Sequence, residues 1–288
     1  MKRFALLVAT LLTLGRAASC EPAIWLVQGP SAKIYLFGTM HILPKQGSWF
    51  GPKIAAAFAD SHEVWEEADI GLLQKQAAPN IMTRALAPDS DLWAKLPPAT
   101  ADKFRAELKT CHLPTSVVAH FRPWFATMLP AVCQLTEQSG KTLVDGANGP
   151  EGTLLARAKS TGKQTGFFET AEQQIGYLAN SPESVQLKQL RDAIDQAATG
   201  KDDFGGIETA WLAGDEPAIA RQVADTKKTD PDFYATIFTQ RNQRFAAKIA
   251  EMAAGNKNIF VAIGAGHLVG PDSVQAQLNR NNIASKRL

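Results

Sequence analysis

Ile34-Tyr-Leu-Phe-Gly38-Thr-Met-His41-Ile-Leu-Pro44 is an apolar run that breaks off in Gly-x-x-His. Such a run reads as a buried strand. A glycine near its end lets the backbone turn sharply, which holds the imidazole over the strand's carboxyl edge, where α/β folds place their chemistry. The same pattern returns near the other end of the chain, where Asn258-Ile-Phe-Val-Ala-Ile263 runs into Gly264-Ala-Gly-His267. Each half also holds a strand that ends in a carboxylate: His62-Glu-Val-Trp-Glu-Glu67 in the first and Thr165-Gly-Phe-Phe-Glu169 in the second. Two matched histidine and glutamate pairs at strand ends point to one site. Glu66 should face away from Glu67, because neighbouring strand residues point to opposite faces.

Around these strands the sequence lays out an α/β protein: a central mixed β-sheet flanked by helices, with two pseudo-repeated strand-GxxH halves and a helical insert. Ala23–Val27 and Lys33–Phe37, joined by Gln28-Gly-Pro-Ser-Ala, form a β-hairpin, and Pro52–Asp60 a short helix. From about residue 71 to 144 the pattern is helical, broken by prolines. Thr153–Lys159 reads as a helix ending at Gly162. Residues 171 to 254 are again mostly helical, with breaks expected at Gly205-Gly206 and Gly214, and Ile283–Leu288 adds a last edge strand. Residues 20–288 therefore read as a single domain, long enough at 45% hydrophobic content to bury a sizeable core.

The first 19 residues have Lys2 and Arg3, an apolar stretch from Phe4 to Leu14, and small residues at 17 to 19, the pattern of a cleaved secretory signal. Their removal takes away Lys2, Arg3 and Arg16 and brings the formal charge from +2 to −1. With no Lys or Arg runs elsewhere, nucleic acid is excluded as a partner. The protein is thus expected to be exported, periplasmic or membrane-anchored. Cys20 follows the expected cleavage site, where a bacterial lipoprotein carries its lipid anchor, although Ala17 stands where such proteins have leucine. Cys111 and Cys133 remain as an even pair and are expected to form a disulfide.

Neutral imidazoles and a carboxylate are the usual ligands of a divalent transition metal, and two histidines with one glutamate leave a position for water. A metal there would activate that water for hydrolysis, with a spare carboxylate to take its proton. The same residues without metal make a His and Glu acid–base pair that activates water directly. No HExxH helix, Gly-x-Ser-x-Gly elbow, P-loop or dinucleotide fingerprint occurs. A Thr170–Gln173 capping box is the structural reading of the segment after Glu169, and Trp49-Phe50-Gly51 a candidate cleft wall.

YLFGTMHILP, Glu67-Ala-Asp-Ile70, the Lys163–Gln173 segment KQTGFFETAEQ, Arg241-Asn242 and FVAIGAGHLVG together resemble the TraB/GumN family, which includes the TIKI proteins, over roughly residues 23 to 288. The resemblance implies a fold related to ChaN-like and erythromycin-esterase-like proteins. It also implies, from the TIKI branch, a metal-dependent protease acting on a peptide-like or other small-molecule substrate. The family pattern falls on Gly38, His41, Glu67, Glu169, Gln173, Arg241, Asn242, Gly264 and His267. On that basis His41, His267 and Glu67 are expected to bind Mn, Co or Zn, and Glu169 to act as general base or fourth ligand. Arg241, with Asn242 and Gln173, is expected to meet the substrate or its oxyanion, and Gly38 and Gly264 to be structural. Phe245 replaces the family's usual methionine, and Gly149-Pro-Glu-Gly replaces its Gly-x-Asp turn. The ChaN-like relationship keeps open a haem or small-ligand binder without turnover.

Overall fold

The structure is a computed structural model that describes residues 21–41, 49–69, 77–139, 149–200 and 203–288. The expected export signal and Cys20 lie outside the described residues. Six strands form one mixed sheet: β1 (Ile24–Gln28), β2 (Lys33–Thr39), β3 (Glu63–Glu66), β4 (Gln164–Phe167), β5 (Ile259–Gly264) and β6 (Ser285–Arg287), in the order β4-β3-β5-β2-β1-β6. β1 and β2 are the expected antiparallel hairpin, and β6 adds antiparallel to β1 at the edge. The other contacts are parallel, β2 with β5, β5 with β3, and β3 with β4. Four neighbouring strands therefore end along one edge of the sheet.

Alternation along the central strands builds two cores. Ile34 and Leu36 of β2 pack with Val261 and Ile263 of β5 against Phe245, Ile249 and Met252 of the Gln240–Ala253 helix. Tyr35, Phe37, Phe260 and Val64 face the other way, against Ile54 and Phe58 of the Pro52–Asp60 helix, Leu154 of the Pro150–Ser160 helix, and Trp211. Both faces are covered, so the strands read as continuous apolar runs rather than as an alternation of apolar and polar. The Trp211 indole N–H donates to the Gly38 carbonyl at 2.7 Å and pins β2 just before its motif. Trp49 stacks on Phe37 inside this second core, so it supports the sheet and does not wall a cleft.

The expected insert is mostly helical where it is described, from Ala77–Ala85 to Leu129–Ser139, with turns between the helices and an isolated antiparallel bridge between Leu86 and Phe121. Its apolar core, with Phe104, Leu108 and Leu129, is completed by Leu190 and Ile194 of the Glu183–Ala197 helix. Cys111 and Cys133 are joined by a disulfide that links the end of the Pro98–Thr110 helix to the Leu129–Ser139 helix. Gly205 and Gly206 do not break the chain but lie inside the Asp203–Leu212 helix, whereas Gly214, at φ 64°, follows its end as a left-handed stop.

Candidate functional site

β3 and β4 run in register to their ends, and the ladder continues one step further, Glu169 N–H donating to the Glu67 carbonyl at 2.8 Å. Two carboxylates are thereby brought side by side, an arrangement that requires a cation. Arg241 supplies it from the start of the Gln240–Ala253 helix, directly after the π-helical turn Ala235–Thr239. Its Nε donates to Glu169 Oε1 at 2.9 Å, and its Nη2 to Glu67 Oε2 at 2.5 Å and Glu169 Oε2 at 2.7 Å. Its Nη1 donates to the Ile237 carbonyl at 3.3 Å and to His267 Nε2 at 3.1 Å. All four side chains are buried.

Glu67 also accepts from the Gly264 N–H at 2.6 Å and from Gln174 Nε2 at 3.2 Å. Burial opposes its charge, but His267, Arg241, His41 and the Gly264 N–H outweigh it and hold the carboxyl well below the usual range. A carboxylate so fully solvated by donors is a fixed negative charge and a poor base.

The two motif histidines are not equivalent. Thr39 of β2 is opposite Gly264 of β5, so the motifs are one residue out of step. His267 lies in the 3-10 turn Ala265–Leu268. Its Nδ1 donates to Asn242 Oδ1 at 2.6 Å, and Asn242 in turn donates to the Asp272 carbonyl at 2.8 Å, which fixes both the amide and the tautomer. Burial, helped by Arg241, prevails over the pull of Glu67 and holds His267 down to about 4, a neutral imidazole. His41 stands past the end of β2 with its side chain 60% exposed. Its Nδ1 lies 2.8 Å from Oε1 of Glu151, which follows Pro150 in the first turn of the Pro150–Ser160 helix. Partial desolvation of the ring opposes protonation, but the charge and hydrogen bond of Glu151, with Glu67 beyond, raise the imidazole to about 9.

Gly264 is the close-approach position between these groups. A Cβ there would stand 3.1 Å from Glu67 Oε1, 3.5 Å from the His267 ring and 3.7 Å from His41 Nε2. At Gly38 a Cβ would press to 3.0 Å on the Ala265 backbone. Both glycines are needed for space, not for the sharp turn expected from the sequence; Gly38 is extended within β2.

His41, Glu67, Glu169, Arg241 and His267 thus come together, and two expected partners serve otherwise. Asn242 orients His267 and does not face a substrate. Gln173 closes the capping box, its Oε1 accepting from Thr170 N at 2.8 Å while Thr170 Oγ1 accepts from Gln173 N at 3.2 Å. Gln174, one residue on, reaches the carboxylates. Tyr177 donates to Glu169 Oε1 at 2.9 Å and accepts from Arg244 at 2.6 Å. Glu151, Gln174, Tyr177 and Arg244 were not singled out from the sequence. Only the departure of Gly149-Pro-Glu-Gly from the family turn marked one of them. Glu66 lies on the opposite face from Glu67, fully buried, and neither of its oxygens has a hydrogen-bond partner among the described residues.

The donor set does not fit a divalent metal as it stands. The Nε2 lone pair of His267 and an oxygen of each carboxylate are directed at the Arg241 guanidinium, which fills the place a cation would take. Among the described residues no group of three His, Cys, Asp or Glu side chains converges on one point.

A cleft of about 260 Å3 opens above these groups. His41, Glu67, Gln174 and Arg241 lie at its polar end, and Ile81, Trp124, Met128, Ile175, Leu178 and Ile237 line the rest.

A mixed sheet with histidines and carboxylates delivered by four parallel strand ends, and an apolar cleft over them, defines an α/β protein with a cluster of titratable side chains at the carboxyl edge of its sheet. The chain matches the TraB/PrgY/gumN family model over residues 23–287, nearly its whole length, and belongs to that family. No curated protein and no solved structure matches it.

Proposed function

We propose that the protein is a hydrolase that cleaves an acyl bond, amide or ester, in a peptide-like substrate, with His41 as its acid–base group. The observation that carries this reading is the His41–Glu151 pair. A buried carboxylate engages Nδ1 of a ring that lines the cleft, which is the base-and-orienter arrangement that acyl hydrolysis needs. Neutral His41 takes a proton from water at Nε2 as that water attacks the carbonyl carbon. The same proton then passes to the leaving nitrogen or oxygen as the tetrahedral centre collapses. Arg241 lies at the cleft floor with its N–H groups engaged by Glu169, Glu67, His267 and the Ile237 carbonyl, so it would reach a developing oxyanion only by giving up one of these bonds.

This reading needs no metal. The metal-dependent form, with His41, His267 and Glu67 around Mn, Co or Zn, requires Arg241 to withdraw from His267 and both carboxylates. The haem alternative gains no support: His267 Nε2 is engaged, and the cleft is smaller than the roughly 300–1,000 Å3 that hold drug-sized ligands. Export, with or without an anchor at Cys20, is part of the proposal and is supported by the Cys111–Cys133 disulfide, a bond that persists in oxidising compartments.

The test is hydrolysis of a fluorogenic peptide and ester library by wild type and His41→Ala, with elemental analysis of both. Metal-free wild type that turns over, with a loss of roughly 10²–10⁴-fold in the variant, is the expected result. Turnover that appears only when Mn, Co or Zn is supplied would transfer the reading to the metal-dependent form. Turnover equal in wild type and variant would remove His41 from the mechanism.

A further inference from the structure

The cleft wall opposite the charged floor is a small satellite core in its own right. Ala85, Trp124 and Ile175 are buried there, and Ile81, Met128 and Leu178 pack around them while opening on the cleft. It joins two parts of the fold: Trp124 and Met128 come from the helical insert, and Ile175 and Leu178 from the Ala171–Ala179 helix that follows Glu169. Trp124 is a rigid back plate. It is 4% exposed, its indole N–H donates to the Arg84 carbonyl at 3.2 Å, and its backbone N–H donates to Gln186 Oε1 at 3.2 Å. The open side chains face His41 and Arg241 across the cleft.

Resting on the hydrolase reading, we infer that this wall is the acyl-side specificity subsite: it takes one uncharged apolar group, a linear chain of about six to eight carbons or a single leucine- or phenylalanine-sized side chain, next to the bond being cleaved. Two features set that class. The volume of about 260 Å3 holds one such group and not a whole drug-sized ligand. Among the described residues the lining has no charged side chain away from the floor, so a charge on the bound group would find no partner among them. The polar end belongs to the floor, where His41 would meet a carbonyl or carboxylate. Each methylene buried on the wall is worth about 0.8 kcal/mol, close to a fourfold gain in kcat/KM per carbon until the wall is filled.

The experiment uses p-nitrophenyl esters from acetate to dodecanoate for turnover, and calorimetric binding of octanoate against acetate as a readout independent of turnover. Wild type is compared with Met128→Trp and Leu178→Trp, which fill the cleft, and Met128→Ala, which enlarges it; both positions are only partly buried, and circular dichroism checks that each variant folds. A wild-type optimum at six to eight carbons is expected, moving to shorter esters in the tryptophan variants and to longer ones in Met128→Ala, with octanoate affinity falling at least tenfold in the tryptophan variants. Esters hydrolysed with no chain-length preference, or with the same optimum in every folded variant, overturn the subsite and leave the hydrolase reading standing. Octanoate bound by wild type and lost from the tryptophan variants, with no ester or peptide turned over, upholds the subsite and overturns the hydrolase reading. Neither turnover nor octanoate binding overturns both.

Discussion

Glu151 Oε1 lies 2.8 Å from Nδ1 of His41, across 110 positions of sequence, and its side chain is only 5% exposed whereas that of His41 is 60% exposed. A buried carboxylate thus holds the inner edge of a ring whose outer edge meets the cleft. Glu151 fixes the tautomer that leaves Nε2 free, and it accounts for the upward shift of the imidazole to about 9.

Glu151→Gln is therefore expected to lower the pKa of His41 toward the ordinary 6.5 while retaining an acceptor for Nδ1. If neutral His41 is the base, kcat/KM of the wild type rises with pH up to about 9, and in the variant that limb moves to lower pH. Glu151→Ala, which also removes the acceptor, is expected to lose roughly 10²–10⁴-fold in kcat. Superimposable pH profiles of wild type and Glu151→Gln would separate Glu151 from the chemistry.

Arg241 compensates two buried carboxylates at once, so its loss should be felt in stability before function is considered. Arg241→Ala leaves Glu67 and Glu169 without their shared cation, and the expected cost is about 3–5 kcal/mol in urea unfolding. Arg241→Lys keeps the charge but has no planar fork to serve both carboxylates and His267, and should fall between. Adding Glu169→Gln to Arg241→Ala should recover part of the loss by removing one uncompensated charge. A double variant no more stable than Arg241→Ala would show that the carboxylates are not what destabilises it.

His267 sets an acid limit. Its folded pKa is held down to about 4 against an ordinary 6.5, so between these values the unfolded chain binds a proton that the folded chain does not. Stability from this group is complete above 6.5 and is lost as the pH falls toward 4. His267→Asn should flatten that part of the stability curve, whatever it does to the absolute value. Parallel thermal midpoints for the two proteins between pH 4 and 7 would exclude His267 as the source of acid sensitivity.

The central strands β2 and β5 were legible because each is a run of apolar residues, and the convergence of His41, Glu67, Glu169 and His267 followed from two matched histidine and glutamate pairs placed at strand ends. The Thr170–Gln173 cap was legible too, since a capping box is a pattern over four adjacent residues. What could not be read depends on contacts across long separations. Glu151 comes to His41 from the start of a distant helix, and nothing local marks it apart from a turn that departs from the family's usual one. Arg241 was placed as a substrate ligand because spacing carries no information about which buried anions surround a cation. Gln174 was missed for the same reason, and Trp124 because only the folded insert brings it to the sheet edge.

Glu66 gives the protein a base-side sensitivity. Burial, with the charges of Glu151, Asp69 and Glu67, lifts its carboxyl to about 10 from an ordinary 4.5, so it is protonated in the folded protein at neutral pH. The unfolded chain releases that proton near 4.5, and the stability contributed by the protonated form is complete below that value and lost as the pH rises through about 10. Glu66→Gln keeps the shape and carries no titrating proton. It also brings N–H donors to a region where both Glu66 oxygens and Oε2 of Glu151 lack partners among the described residues. The variant should therefore gain on wild type as the pH rises, with a thermal midpoint close to wild type at pH 5 and clearly above it at pH 9. A gap that stays constant across this range would mean that Glu66 is ionised in the folded state, with its charge balanced by a group that its buried surroundings do not provide.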